Sequence, residues 1–332
     1  MLESQFSHTL KRRIMFDQFL EKIDRVLKRI WGRSFRHEHF MNNLPDTEQV
    51  QYLMERLCND DNSFALIRFG LYESMICYQF LEKQCGLRKE YSEYVREHIK
   101  MDAGMFSNDE KGMDMYAYFV ISKLMIADVV GYWTDIPRLL VFKSFFQKRK
   151  DDINIDDIYP FPFWHRDVMP WWHRALSGKN VLIVSSFSKS IEKQYLYRSK
   201  IWDDPDILPD FNLITYQAIQ TSGGGINDER GEFENWREAF DYMLNDILEI
   251  DFDIAMISCG GYGMPLALCL KEHGKKAIQW GGCLQLWFGI LGNRWYRNPE
   301  IQPYINSYWK PPMEEEIPPF ADQVDGGAYW CR

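Results

Sequence analysis

The sequence predicts an α/β fold: a Rossmann-like, mostly parallel sheet flanked by helices, preceded by an N-terminal helical extension. Three observations predict it. Short β-branched runs such as NVLIVSS (180–186) and FDIAMIS (252–258) read as strands buried on both faces. Helical stretches follow several of these runs. The unit 252–282 then passes from strand to helix to strand within a span that only a parallel crossover satisfies.

The bulk numbers support a large globular chain. It has 332 residues, 46% of them apolar and 26% charged, with a net charge of -9. An acidic surface lacks the positive field that nucleic-acid backbones select, so nucleic acid is excluded as a partner. Local phosphate binding by loops and helix N-termini stays open. The seven cysteines are scattered, without a C-x-x-C pair, which points to neither a disulfide framework nor a zinc site and fits a reducing compartment. No unbroken apolar segment marks a signal peptide or a membrane span, and the expected location is the cytoplasm.

Taken in order, residues 1–60 form the helical extension. Within 8–40, Phe16, Leu20, Ile23, Leu27 and Ile30 recur at helical spacing beside nine Lys/Arg. This basic amphipathic face docks on a membrane surface or packs on protein, either its own domain or a second subunit of a homo-oligomer. The α/β domain spans 61–310. FALIRF (64–69) is its first strand, and a helix runs from Glu73 to about Cys85. A helical insertion occupies about 91–150.

NVLIVSS leads through a serine-rich loop into a helix over 191–200, and FNLITYQAI (211–219) is the next strand. Phe233, Trp236, Phe240, Met243 and Ile247 mark one face of a long helix. After FDIAMIS comes the turn Cys259–Gly263, the helix MPLALCLKEH with Pro265 near its start and Gly274 as its cap, and the strand KAIQWGG. The tail 311–332 carries four prolines and an acid cluster; it is expected to run extended over the surface with Tyr329-Trp330 docked.

Ligands of open parallel sheets bind outside the carboxyl ends of the strands. Four loops qualify: Arg68–Glu73, Ser185–Ser190, Thr221–Gly225 and Cys259–Gly263. Hydroxyls, glycine-turn N–H groups and Lys189 suit a phosphate, while the same glycines and serines are also what strand-to-helix turns require. Arg68 and Glu73 close a buried strand as either an anion and metal pair or a structural ion pair. The G-x-G-x-x-G dinucleotide pattern fails at Leu266, and the acid expected at the end of the next strand is missing, which disfavours a nicotinamide or flavin enzyme. In FPFWHRDVMPWWHR (161–174) the aromatics form an acceptor lid or a core contact, and His165 and His173 lack metal-ligand spacing. Asp109, Glu110 and Asp128 read as solvated-face acids.

Arg68-Phe69-Gly70-x-x-Glu73 resembles the R-[FY]-G-D-G-E motif of GT-D-type glycosyltransferases, and 259–295 resembles the C-terminal part of a branch associated with bacterial surface polysaccharides. NVLIVSSFSKSIEKQY and the Tyr329-Trp330 tail are also similar to that branch. The resemblance implies a GT-D-like sheet and a glycosyltransferase of hexosyltransferase type. It also implies a UDP-sugar donor, a glycan acceptor, and Mn or Mg held by an Asp-x-Glu pair.

Carried over, Glu73 is the catalytic or metal-binding carboxylate and Arg68 the arginine of the motif. The donor lies across Gly70, Ser186, Ser188, Lys189, Gly260, Gly261, Tyr262, Gly263, Gly282 and Gln285. Leu71 stands where the motif has its Asp, which removes a hard oxygen ligand. Either Glu73 and the phosphates hold the metal, or no metal is used, or activity is lost. The rival reading is a non-catalytic nucleotide-sugar-binding or assembly subunit of a polysaccharide machine. An unrelated hydrolase is disfavoured by the lack of a visible nucleophile and base.

Overall fold

The computed structural model describes residues 53–58, 62–132, 172–222 and 233–330, with parts of 10–18. The segments 161–171 and Gly223–Gly225, and most of 8–40, lie outside the described residues, so the expectations placed on them have no structural counterpart here.

Among the described residues six strands form one all-parallel sheet: β1 (Phe64–Phe69), β2 (Val129–Tyr132), β3 (Asn180–Ser185), β4 (Asn212–Gln217), β5 (Ile254–Ser258) and β6 (Lys276–Gln279). Their spatial order is β2-β1-β6-β5-β3-β4. The connection leaving β3 runs outward to β4, whereas that leaving β5 runs the opposite way to β6. A crevice therefore opens between the carboxyl ends of β3 and β5, the position where such sheets bind ligands.

Alternation along each strand divides the core. Ala65, Ile67, Leu182, Val184, Ala255 and Ile257 face one side. There they meet α1 (Leu71–Gln84), α2 (Glu93–Met101), α3 (Glu110–Lys123), α6 (Trp236–Leu248) and α7 (Gly263–Glu272). Leu66, Val181, Ile183, Ile254, Met256 and Ile278 face the other. That side is covered by α4 (Ser188–Tyr195), α5 (Arg198–Ile201), α8 (Cys283–Trp287), α9 (Asn293–Tyr296) and the C-terminal segment.

The second face is built from tryptophans whose indoles are tied down. Trp202 donates to the Trp287 carbonyl at 2.8 Å and Trp309 to the Ile201 carbonyl at 2.9 Å. His173 is fully buried among Trp172, Trp280 and Trp287, and burial pushes its pKa down to about 3, so it is a neutral packing residue.

Several expectations are revised. β2, four residues long at the sheet edge, lies where the sequence reads as continuous helical insertion; so short a run carries too little periodicity to register. The helix expected over 191–200 is two pieces, α4 and α5, broken at Leu196–Tyr197.

The three acids of the insertion have structural partners. Asp109 caps α3 by accepting the Gly112 N–H at 2.7 Å. Glu110 binds Lys83 and Arg96, and Asp128 accepts the Ala65 N–H at 2.9 Å and pairs with Lys271 at 2.6 Å. In the N-terminal segment, Leu10 and Ile14 are buried in the first core, and Gln18 donates to Glu82 at 2.8 Å, so this part packs on its own domain.

The tail differs most. It does not lie extended: short 3-10 turns at Glu314–Glu316 and Val324–Gly326 fold it back, and Ala321, Val324 and Trp330 enter the second core. Prolines stop α-helix but tolerate such turns, and the apolar residues between the acids supply the burial.

Candidate active site

A cleft of about 440 Å³ opens at the carboxyl ends of the strands, in the range typical of small-molecule sites. Its floor is the end of β1. Arg68 is buried and secured from behind: its backbone N–H donates to Gln279 Oε1 at 2.5 Å and Nη1 donates to the Trp280 carbonyl at 2.7 Å. The chain then turns through Gly70 into α1, which places Glu73 in the first helical turn.

Gly70 is needed for that placement. Its backbone is extended, but a Cβ there would fall on the Glu73 carboxylate, whose Cδ would be 2.9 Å away. The carboxyl folds back over its own backbone N–H, yet protein surrounds it on every side except the cleft. Burial raises its pKa; its own N–H and the Arg68 charge offset part of the rise, and Asp102 adds to it.

Asp102, at the end of α2, supplies a second carboxylate, but both its oxygens are engaged. Oδ2 lies 2.6 Å from His98 Nδ1, and Oδ1 accepts the Asp325 N–H at 2.8 Å. The His98 ring stacks on Tyr72 at 4.8 Å, and Tyr72 lines the cleft. Arg294, on α9, comes from the opposite wall, bonded to the Asp325 carboxylate and lying 4.9 Å from the Tyr329 ring centre. Burial raises the pKa of the Tyr329 hydroxyl; Arg294 and Arg68 pull it down, and Asp325 adds to the rise.

The residues anticipated from sequence fall into two groups. Arg68, Gly70, Glu73, Ser186, Gly260 and Gly282 line the cleft. The others do not. Ser188 donates its hydroxyl to Gln217, and the N–H groups of Lys189 and Ser190 both donate to the Glu316 carboxylate, at 2.8 and 3.2 Å to the same oxygen. The expected phosphate cradle at the start of α4 is thus filled by the protein's own tail. The Lys189 ammonium sits outside the cleft, 3.6 Å from Glu315.

Gly261 donates its N–H to the Ala103 carbonyl at 2.6 Å, and a Cβ at Gly260, where φ is +55°, would lie 2.6 Å from that same oxygen. These glycines allow two backbones to meet. The Tyr262 hydroxyl pairs with Thr221 at 3.2 Å, Gly263 packs against Gln279, and Gln285 is buried, donating to the Tyr329 carbonyl at 2.6 Å.

Arg294, Asp102, Tyr72, Gln279 and the tail residues Asp325 and Tyr329 were not anticipated. Asp102 belongs to no motif, and Tyr72 lies within the Arg68–Glu73 loop with no role assigned to it there. Arg294 sits inside the C-terminal block that carries the resemblance, and its charge beside Gly292 and Trp295 was the available signal.

Among the described residues no three His, Cys, Asp or Glu side chains gather as metal ligands. Among the described residues lining the cleft, Leu71 offers no oxygen, Asp102 is engaged on both oxygens and Asp325 is paired with Arg294, which leaves Glu73 to meet a cation. The donor set does not fit a dedicated Mn or Mg site. No helix among the described residues is long and apolar enough to cross a membrane.

No family model matches the chain, and neither does any curated protein sequence. Two solved structures are similar in outline. One is described as domain of unknown function 1792 with a distinct glycosyltransferase fold: 12% identity, 86% of this chain and 94% of that one, TM-score 0.40. The other is a selenomethionine-substituted structure of domain of unknown function 1792: 12% identity, 83% and 98% coverage, TM-score 0.37. At these values the chemistry of the cleft has to come from its own residues.

Proposed function

We propose that this chain is a glycosyltransferase-like enzyme that takes a sugar from a nucleotide donor, UDP being the expected nucleotide, and passes it to a glycan acceptor in surface-polysaccharide or glycan assembly. The observation that carries the reading is the meeting of Arg68, Arg294 and Glu73 in one cleft at the topological switch point. Two guanidinium groups suit a diphosphate. Tyr72 and Tyr329, both on the cleft wall, suit a base or sugar ring. The resemblance of Arg68–Glu73 and 259–295 to the GT-D pattern supplies the nucleotide and the pathway.

In the reaction, the bond between the anomeric carbon and the diphosphate oxygen breaks as the acceptor oxygen bonds to that carbon. Negative charge grows on the leaving diphosphate, where Arg68 and Arg294 face it from fixed positions. The proton of the acceptor hydroxyl passes to Glu73, whose raised pKa makes it a stronger base than a solvated carboxylate.

Leu71 favours a second reading, a subunit that binds the donor without consuming it. The test is incubation with a panel of UDP-sugars and glycan acceptors, following release of UDP. Acceptor-dependent UDP release supports the enzyme; binding with the donor recovered intact supports the subunit; binding of no nucleotide removes both.

A further inference from the structure

We propose that Arg68 and Arg294 form one diphosphate clamp across the Gly281–Gly282 backbone, and that Asp325 of the tail is its resident occupant, displaced when phosphates enter. This deepens the donor reading and rests on it only for what lies beyond the phosphates.

The clamp is built from two sides of the cleft onto one bare stretch of chain. A Cβ at Gly281, where φ is +60°, would lie 2.5 Å from Arg68 Nη1. A Cβ at Gly282 would lie 3.6 Å from Arg294 Nη1 and 3.3 Å from the Tyr329 ring. Consecutive glycines thus let two guanidinium groups approach adjacent peptide units, where no Cβ of that backbone stands in their way.

Asp325 stands where a phosphate oxygen would. Its carboxylate binds Arg294 Nη2 at the cleft rim, and the residue is held in the left-handed region at φ +50°, followed by Gly326 and Gly327 at +66° and +76°. The turn therefore presents the carboxylate to the arginine.

The tail does not depend on this ion pair for its seat. Gln285 holds the Tyr329 carbonyl, the Arg294 backbone N–H holds the Ala328 carbonyl at 3.0 Å, and Glu316 holds the start of α4. An ion pair about one-third exposed on each side is weak, whereas a diphosphate offers several charged oxygens to both arginines at once. Exchange of one anion for the other is therefore downhill, and only the Asp325 side chain has to swing aside, because Val324 stays in the core and the Asp325 N–H stays on Asp102.

The test is calorimetric titration of the full chain, first with inorganic pyrophosphate and then with UDP, alongside three variants. Arg294→Gln is expected to weaken pyrophosphate binding by about tenfold or more, the loss of one charged hydrogen-bonding partner. Asp325→Asn keeps the volume and the tolerance of left-handed backbone but removes the competing charge; it is expected to tighten binding by about threefold or more. A gain of affinity cannot arise from misfolding. Lys123→Gln, which breaks the exposed Lys123–Glu272 pair outside the cleft, is expected to change neither.

Pyrophosphate binding unaltered by Arg294→Gln, or weakened by Asp325→Asn, overturns the clamp. If pyrophosphate binds through Arg294 but no nucleotide binds, the clamp stands and the donor reading falls. If UDP binds equally to parent and Arg294→Gln, the donor reading stands and the clamp falls. A parent chain that binds neither ligand overturns both.

Discussion

Glu73 shows how one residue links stability to chemistry. A carboxyl whose folded pKa lies above its ordinary value near 4.5 binds its proton more tightly in the native chain than in the unfolded one. Stability is therefore highest below that ordinary value and falls as pH rises through the folded pKa. Glu73→Gln removes this penalty: melting at pH 7 is expected to occur at a higher temperature than in the parent, with the difference closing as pH falls below about 4.5. The same variant is expected to lose about a hundredfold or more in acceptor-dependent UDP release while still binding UDP. Loss of UDP binding along with release would place Glu73 in holding the donor.

Gly281 is the second informative residue. Gly281→Ala adds left-handed strain of about 1–2 kcal/mol and drives a methyl against Arg68, so melting and pyrophosphate affinity should fall together. Arg68, Gly70 and Glu73 were legible because they end or directly follow a buried strand. Arg294 and Asp102 were not, since nothing in their local sequence tells that two walls meet.

At the scale of elements, the junction between the tail and α4 carries the main surprise. Serines and a lysine after a strand read as a phosphate cradle, and the helix start does bind an anion. That anion is Glu316, 7% exposed and bonded to two backbone N–H groups and the Ser190 hydroxyl. Local sequence shows that hydrogen-bond donors gather there but could not say that a residue 126 positions away would occupy them. Glu316→Ala strands these donors in a buried place and is expected to cost about 2–3 kcal/mol, read as a lower denaturant midpoint at pH 7.

At the start of α1, the chemistry can be run the other way. Leu71→Asp adds a second carboxylate to the turn that carries Glu73. The variant is expected to gain thermal protection from Mn that the parent lacks, measured by melting with and without the ion. Equal protection in both chains would show that Leu71 is not what keeps the ion out.

For the whole molecule, the parallel sheet and its two helical layers were legible because β1, β3 and β5 are mostly apolar, as strands covered on both faces are. The second face was less so. Its tryptophans come from separate stretches, Trp172, Trp202, Trp287, Trp309 and Trp330, and no single window shows that they share a core. Deleting residues 311–332 should therefore unfold more than a tail. The expected outcome is dye-accessible apolar surface and loss of the cooperative melt, in contrast to the clean truncation that an extended, unpacked tail would permit.

The strand order also sets a timetable. β1, which bears Arg68 and leads into Glu73, pairs on its inner side with β6, and the Arg68 amide meets a glutamine 211 residues further along the chain. At a general translation rate of about 5–20 residues per second, β1 leaves the ribosome about 10–40 s before its neighbour exists. Until then a strand apolar except for Arg68 waits unpaired on that side, a client for whatever shields nascent chains, and the cleft is among the last parts of the molecule to come into being.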